Sequence, residues 1–412
     1  MGLNETPSAN RIHIGFFGKT NSGKSSLMNA VCGQQLSVVS EIPGTTTDPV
    51  MKAMELLPLG PVVWMDTAGL DDSGKLGEMR MEKTAQVLRK TDVAVLVVDG
   101  QQTVSECEQK LAGFFREHKI PFLVAINKAD IACDECQKYW NDFCPDVLHL
   151  SVSAKDGVHT EEIKISIGQL LAQRTKPRKM VADYVKTGDL VVLVTPIDAS
   201  APKGRLILPQ QQAIRELLEA GAMTMVVQLQ ELEKVLKTVT QTPRLVITDS
   251  QVFEQVSGIV PRDIMLTSFS ILLAAQKGML EGAVLGARIL DTLQNGDKIL
   301  ISEGCTHHRQ CGDIGKDKLP AWMKRYTGKE LNFEWTGGND FPTDLTSYRL
   351  VVHCGGCMLA GREMDWRISA AQSRGIPMTN YGIVIAHMNG ILERSIELYE
   401  SETKRDQMGQ IR

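Results

Sequence analysis

The sequence predicts an α/β protein whose 412 residues form three domains. Short apolar runs alternate with amphipathic stretches, and this alternation restarts near residue 190 and again near residue 268. Strands separated by helices indicate parallel sheets that are covered on both faces. At about 150 residues per domain, the length also agrees with two or three domains.

The first domain is predicted to cover residues 1–175, followed by a basic, proline-containing linker at about 174–189. Its helices include one at 24–32 and a last one near 161–173. Its predicted strands lie at 11–17, 61–65, 93–98, 121–126 and 147–150.

Two smaller α/β domains are predicted to follow, at 190–265 and 266–412. The first of them carries no convergent polar motif, and an exposed edge strand would suit it to dimerisation. In the second, strands at 298–302 and 348–352 each lead into a loop that contains cysteine. Loops at the carboxyl ends of such strands are where ligands sit in open α/β sheets.

Composition excludes several classes of protein. Lys and Arg number 45 against 49 Asp and Glu, and aromatic residues make up 5% of the chain, so neither a basic face nor many stacking platforms are available for nucleic acid. No apolar run approaches the ~18 residues of a membrane helix, and the chain start has no apolar signal segment. We expect a cytoplasmic protein with protein partners, without nucleic acid or membrane contacts.

A phosphate-binding loop is predicted directly after the first strand. Residues 18–25, GKTNSGKS, fit the pattern GxxxxGKS between a strand and a helix. Backbone N–H groups there can face phosphates, Lys24 can bridge the β- and γ-phosphates, and Ser25 can hold Mg²⁺. The predicted phosphate-binding residues are Gly18, Asn21, Ser22, Gly23, Lys24, Ser25, Ser26 and Gly69.

Three further motifs predict that the nucleotide is GTP. DTAG at 66–69 places a carboxylate where it can reach Mg²⁺, and NKAD at 127–130 supplies Asp130 to accept hydrogen bonds from guanine N1 and N2. SAK at 153–155 is the third motif, and it fits the loop that closes on the guanine O6. The residues predicted to bind guanine are Asn127, Lys128, Asp130, Ser153, Ala154 and Lys155.

The magnesium shell is predicted to contain Ser25, Thr46 and Asp66, with Thr45 and Thr47 as alternatives to Thr46. Leu70 stands where Ras-like GTPases carry a glutamine that positions water. We therefore expect slow hydrolysis unless another group or ion assists.

The nine cysteines predict a metal site rather than a disulfide framework, because their number is odd and no export signal is present. Cys305 and His307 follow one strand, and His353, Cys354 and Cys357 follow another. By residue type, a Cys₃His zinc site and an iron–sulfur cluster are both open. CxxC at 133–136 is interpreted as an incidental surface pair.

Residues 11–173 resemble the Era- and MnmE-like GTPases. In those proteins an asparagine in the phosphate loop marks activation by potassium that is linked to dimerisation, and Asn21 occupies that position here. The resemblance implies that K⁺ stimulates GTP hydrolysis.

From residue 11 to about 399, the chain resembles the [FeFe]-hydrogenase maturation GTPases, the HydF family, on the strength of CTH at 305–307 and HCGGC at 353–357. The resemblance implies a [4Fe–4S] cluster held by Cys305, Cys354 and Cys357, with His307 or His353 as a fourth ligand or a near neighbour. It also implies a homodimer formed through the middle domain.

The same resemblance implies a scaffold role, in which the protein receives a diiron precursor cluster from the radical-SAM maturases HydE and HydG and delivers it to apo-[FeFe]-hydrogenase. One alternative function is a tRNA-modification or ribosome-assembly GTPase with a structural zinc site. A third hypothesis is a regulatory GTPase in which the same cysteines bind a stabilising zinc ion.

Overall fold

A computed structural model of the chain shows a mixed α/β protein, which confirms the predicted fold class. The residues that it describes are 8–34, 50–57, 59–67, 75–131, 134–172, 178–197, 206–304, 314–338 and 340–399. They form two compact units, Met1–Lys176 with Ala360–Glu363, and Pro177–Leu359 with Met364–Arg412. The three predicted domain ranges stay predictions.

The first unit is built on a six-stranded sheet in the order β2-β3-β1-β4-β5-β6, in which β2 alone runs antiparallel to its neighbour. Its strands are β1 Ile12–Phe17, β2 Val50–Leu56, β3 Gly60–Asp66, β4 Val93–Asp99, β5 Phe122–Asn127 and β6 His149–Ser151. Its helices are α1 Lys24–Cys32, α2 Lys75–Lys90, α3 Glu106–Glu117, α4 Asp134–Phe143 and α5 Thr160–Ala172.

The central strands of this sheet are buried on both faces. All seven residues of β4 and all six of β5 are buried, because helices cover both sides of the sheet, and such strands are apolar along their whole length. Phe16 belongs to one hydrophobic cluster and Phe17 to the other, as expected for side chains that alternate across a strand. Because β1, β3, β4 and β5 are parallel, their carboxyl ends lie at the same edge of the sheet.

The second unit begins with a four-stranded parallel sheet in the order β10-β9-β7-β8. Its strands are β7 Leu190–Val194, β8 Met223–Val227, β9 Leu245–Thr248 and β10 Met265–Ser268, and its helices are α6 Leu208–Glu219, α7 Leu229–Thr238, α8 Phe253–Ile259 and α9 Phe269–Gln276.

The segment 178–189, which the sequence places in a linker, is packed against this sheet. Met180, Val181 and Val185 are buried in one hydrophobic cluster with residues of β7, β9 and α9. Basic residues and proline mark the segment as a linker in the sequence, but its apolar residues give it a place in the core.

A second parallel sheet completes the unit in the order β12-β11-β13-β14, followed by a helix at 392–399. Its strands are β11 Lys298–Glu303, β12 Asn332–Gly337, β13 Leu350–His353 and β14 Met378–Asn380, and its helices are α10 Leu280–Arg288, α11 Leu319–Thr327, α12 Gly361–Gln372 and α13 Tyr381–Met388. In the part of the chain that the structure describes, no helix has both the length and the apolar character to cross a membrane.

Candidate functional site

The phosphate loop connects β1 to α1 and requires glycine at both of its ends. At Gly18 (φ 150°) a Cβ would lie 2.1 Å from the carbonyl oxygen of Val97, and at Gly23 (φ 87°) it would lie 2.2 Å from Asn127 Nδ2. Gly23 is also the N-cap of α1 and offers no side chain to the first N–H groups of the helix. Those groups, together with the helix dipole, form a site for an anion such as phosphate.

Two polar side chains of the loop differ in their surroundings. Lys24 is buried, and its Nζ donates to the carbonyl oxygen of Lys19 at 2.6 Å. Asn21 is exposed and has φ 63°, a conformation that asparagine tolerates better than most residues. The loop therefore presents one cation to a bound phosphate and one exposed amide beside it.

Two of the predicted magnesium ligands are in direct contact. Ser25 Oγ donates to Asp66 Oδ2 at 2.5 Å, and the Asp66 side chain is fully buried. The contact forms because β1 and β3 are neighbours in register, with Phe16 opposite Asp66. Oxygen atoms of this kind suit Mg²⁺. Thr46, with its alternatives Thr45 and Thr47, and Gly69 lie outside the described residues.

The predicted guanine site forms where β5 and β6 end. Asn127 Nδ2 donates to the carbonyl oxygen of Ser22 at 2.9 Å, and its Oδ1 accepts from the Ala154 N–H at 3.1 Å. Asp130 is exposed, and Ser153 Oγ approaches its Oδ1 at 3.5 Å. Asn127 thus ties the phosphate loop to the guanine loop, while the Asp130 carboxylate stays open to a base.

Lys128 has a partner that the sequence motifs did not identify. Its Nζ forms an ion pair of 2.6 Å with Asp99 Oδ2, and the Asp99 side chain is 7% exposed at the end of β4. The position of Asp99 at a strand end is the signal that could have found it. Lys155, the last residue of the predicted guanine set, is exposed.

The cysteine loop of the second unit starts where β13 ends. Because His353 pairs with Ser302 of β11, the loops after both strands begin side by side. Cys354 Sγ accepts hydrogen bonds from the N–H groups of Gly304 at 3.0 Å and Gly356 at 3.3 Å. N–H groups directed at sulfur favour the thiolate, which is the form that binds metal.

The electrostatics of the cysteine pair balance burial against these donors. Burial raises the pKa of Cys354, and the two N–H groups oppose that rise. Burial and the neighbouring Cys354 raise the pKa of Cys357. Burial lowers the pKa of Lys277, whose ammonium interacts with both thiols. Burial therefore favours the neutral thiols, and a bound metal ion would take the place of their protons.

His353, predicted as a fourth ligand or a near neighbour of the cluster, has a hydrogen-bond partner at each ring nitrogen. Its ring is fully buried, Nδ1 lies 2.6 Å from the Cys354 carbonyl oxygen, and Nε2 lies 3.0 Å from Arg367 Nη1. Burial and the Arg367 guanidinium lower the pKa of His353 to about 3. A neutral ring with both nitrogens bonded orients the loop, which agrees with a place beside the cluster better than with a role as its ligand. Arg367 lies in α12 outside any motif, so no pattern in the sequence pointed to it.

The other predicted ligands, Cys305 and His307, lie outside the described residues. Among the residues that the structure does describe, no group of three or more His, Cys, Asp or Glu side chains is placed to hold a metal ion. The CxxC pair at 133–136 is not a surface pair, because Cys136 is 3% exposed in the core; Cys133 is outside the described part.

Three family models match successive parts of the chain. Residues 13–128 match the family described as "50S ribosome-binding GTPase". Residues 180–278 match the "Hydrogen maturase F dimerization domain", and residues 281–398 match the "Hydrogen maturase F tetramerization domain".

Curated relatives match part of the chain. GTPase Der of Wolinella succinogenes is 34% identical over 174 residues, which is 40% of this chain and 36% of that protein. GTPase Der of Campylobacter jejuni is 29% identical over 231 residues, half of each chain. The chain thus spans about a third to a half of the length of these relatives.

Solved structures of Era also match. An Era variant of Aquifex aeolicus bound to GDP and aluminium fluoride aligns with a TM-score of 0.36 and 18% identity, over 56% of this chain and 98% of that one. Era in complex with MgGDPNP and 16S ribosomal RNA nucleotides aligns with a TM-score of 0.36 and 20% identity, over 57% of this chain and 92% of that one.

Proposed function

The chain belongs to the hydrogen maturase F family, and on that premise we propose that it is a GTP-hydrolysing scaffold that holds a [4Fe–4S] cluster. In this role it carries a diiron precursor from the radical-SAM maturases HydE and HydG to apo-[FeFe]-hydrogenase. The observation that supports the proposal best is the Cys354 thiol, which accepts two backbone N–H groups at a strand end inside the matched region 281–398.

Two of the three thiolates of this cluster come from described residues, Cys354 and Cys357, and Cys305 supplies the third. The N–H groups of Gly304 and Gly356 hold the Cys354 sulfur in place, and each position favours glycine for its own reason. A Cβ on Gly304 would lie 2.7 Å from Leu359 Cγ, and Gly356 has a left-handed backbone conformation with φ 63°. A bound cluster with three cysteine ligands supplies one iron that can take an exogenous ligand.

Anaerobic reconstitution with iron and sulfide tests the cluster. We expect a brown protein with broad visible absorption, which Cys354→Ser loses. Cys107→Ser, a half-exposed cysteine of α3 with no proposed ligand role, serves as the control and keeps the colour. A colourless protein that carries stoichiometric zinc contradicts the scaffold proposal and favours the zinc-stabilised regulatory GTPase.

In the first unit, we propose that Lys24 transfers its hydrogen bond from the Lys19 carbonyl to the nucleotide phosphates. Ser25 and Asp66 would hold Mg²⁺, which neutralises phosphate charge when bound. The exposed Asp130 carboxylate would accept from guanine. These residues position GTP and its metal for attack by water.

We propose further that K⁺ stimulates hydrolysis through the exposed Asn21 amide. The rate should be higher in KCl than in NaCl at equal ionic strength. Asn21→Gly should abolish the difference, because glycine keeps the φ of 63° without steric cost and removes only the amide. Equal rates in the two salts for the wild type would contradict the proposal.

Self-association through residues 180–278 is the proposed basis of the homodimer. Strand β8 is an edge of its sheet, and Met223 and Val226 on it are 48% and 44% exposed. Exposed apolar side chains on an edge strand are a surface that another chain can cover.

The match of residues 13–128 to a ribosome-binding GTPase family favours the ribosome-assembly alternative. That match covers the GTPase portion alone, whereas the hydrogen maturase F matches reach from residue 180 to residue 398. Binding to tRNA or ribosomal RNA that weakens steeply with salt would support the alternative, and its absence would support the scaffold.

A further inference from the structure

A lysine from outside the cysteine loop reaches the turn between the two cysteines. Lys277 follows α9 directly and is half-buried. Its Nζ donates to the carbonyl oxygen of Gly356 at 2.5 Å, and Gly356 lies between Cys354 and Cys357. A Cβ on Gly356 would lie 3.5 Å from Nζ and 3.3 Å from Met364 Sδ, so the lysine and the methionine both pack closely against this turn.

The ammonium group of Lys277 lies against the turn that joins the two cysteines. No carboxylate of the described residues forms an ion pair with its Nζ, and Cys357, Cys354 and Asp365 favour its charged form. A half-buried ammonium without an adjacent carboxylate is costly unless another anion compensates it. The two cysteine sulfurs, as thiolates, are the anions in position to do so.

We propose that Lys277 is a positioning residue for the metal–thiolate site, which fixes the turn through Gly356 and supplies the counter-charge to the Cys354 and Cys357 thiolates. This inference rests on the proposed [4Fe–4S] function. A fixed positive charge beside a cluster stabilises the reduced form more than the oxidised form, because reduction adds one negative charge. Lys277 therefore raises the reduction potential of the cluster.

Three substitutions in the full chain separate charge from hydrogen bonding. Lys277→Met removes both, Lys277→Gln keeps a donor without charge, and Lys277→Arg keeps the charge. Lys237→Met removes an exposed lysine that pairs with Glu233 on α7, and it is the control for net charge. After anaerobic reconstitution with iron and sulfide, the readouts are iron per chain and the midpoint potential from a titration followed by electron paramagnetic resonance.

The expected result is a more negative midpoint potential for Lys277→Met and Lys277→Gln, with Lys277→Arg and Lys237→Met close to the wild type. Failure of both neutral variants to retain iron that the arginine variant retains supports the same conclusion. Equal potentials and iron contents in all five proteins overturn the role of Lys277 while the cluster stands. Loss of iron in the arginine variant as well overturns the counter-charge role. A wild type that takes up no iron overturns the cluster and this inference together.

Discussion

Asn127 holds two loops of the nucleotide site together with a single amide that is 2% exposed. Asn127→Ala removes its bonds to the buried Ser22 carbonyl and the half-buried Ala154 N–H and leaves both groups without this partner. At about 1–2 kcal/mol for each group, the loss is about 2–4 kcal/mol. If the two loops keep their conformation, this free energy is lost from the stability of the nucleotide-free protein. If the loops relax, GTP binding must restore their conformation, and the affinity for GTP falls by about 30- to 1,000-fold.

The assay combines two measurements, so that the sum of both losses is tested. Affinity comes from titration of a fluorescent GDP analogue at fixed Mg²⁺, and stability comes from thermal unfolding without nucleotide. Asn127→Asp keeps the acceptor for Ala154 but places a second acceptor about 2.9 Å from the Ser22 carbonyl oxygen, so it should be at least as damaging as alanine. Asn141→Ala, which removes an exposed amide on α4, is the control.

Changes below about 0.5 kcal/mol for Asn127→Ala in both measurements would refute this reasoning. Recovery of wild-type affinity and stability in Asn127→Asp would refute it equally, because the aspartate cannot donate to Ser22.

Lys24→Ala should abolish GTP turnover and leave iron uptake on reconstitution nearly unchanged, and loss of both in a folded protein would contradict the separation of the two sites. Glu216 accepts hydrogen bonds from the N–H groups of Met180 and Val181, so in urea denaturation Glu216→Ala should destabilise the second unit by about 2–4 kcal/mol. The control Glu219→Ala, at an exposed position of the same helix, should leave the urea midpoint unchanged. The double substitution Met223→Lys and Val226→Lys on the exposed edge strand β8 should produce a monomer in light scattering. An unchanged dimer would contradict the proposal that β8 forms the dimer interface.

The sequence predicted the interior of the first sheet well and its edge poorly. Strands β4 and β5 are apolar along their length because both faces are buried, and such runs stand out in a sequence. β2 was missed because Met51, Lys52 and Ala53 are exposed in succession, so its pattern has neither a continuous apolar run nor a regular alternation. Edge strands of this kind depend on the neighbouring strand for their structure.

Motifs predict candidate ligand-binding residues but not the residues that support them. Lys277, directly after α9, is 79 residues from its partner Gly356, and Arg367 in α12 is 14 residues from its partner His353. No local sequence pattern encodes such contacts. Cys136 is a different case, since Cys136, Trp140 and Cys144 recur every four residues and are all buried. That spacing predicts the buried face of a helix, and it was a stronger signal than the CxxC pattern.

Helix α9 connects the segment 178–189, here called the entry segment of the second unit, with the turn between Cys354 and Cys357. Gln276, its last residue, donates to the Arg178 carbonyl oxygen at 3.2 Å, and the next residue, Lys277, donates to Gly356 at 2.5 Å. Cys357 packs against the hydrophobic cluster that contains Met180, Val181 and Val185 of the entry segment and several residues of α9. Close-packed cores transmit displacements because they contain little free volume. Within the second unit, a displacement of residue 178 should therefore alter the packing of Cys357 through α9, without any change in the strands that carry the cysteine loop.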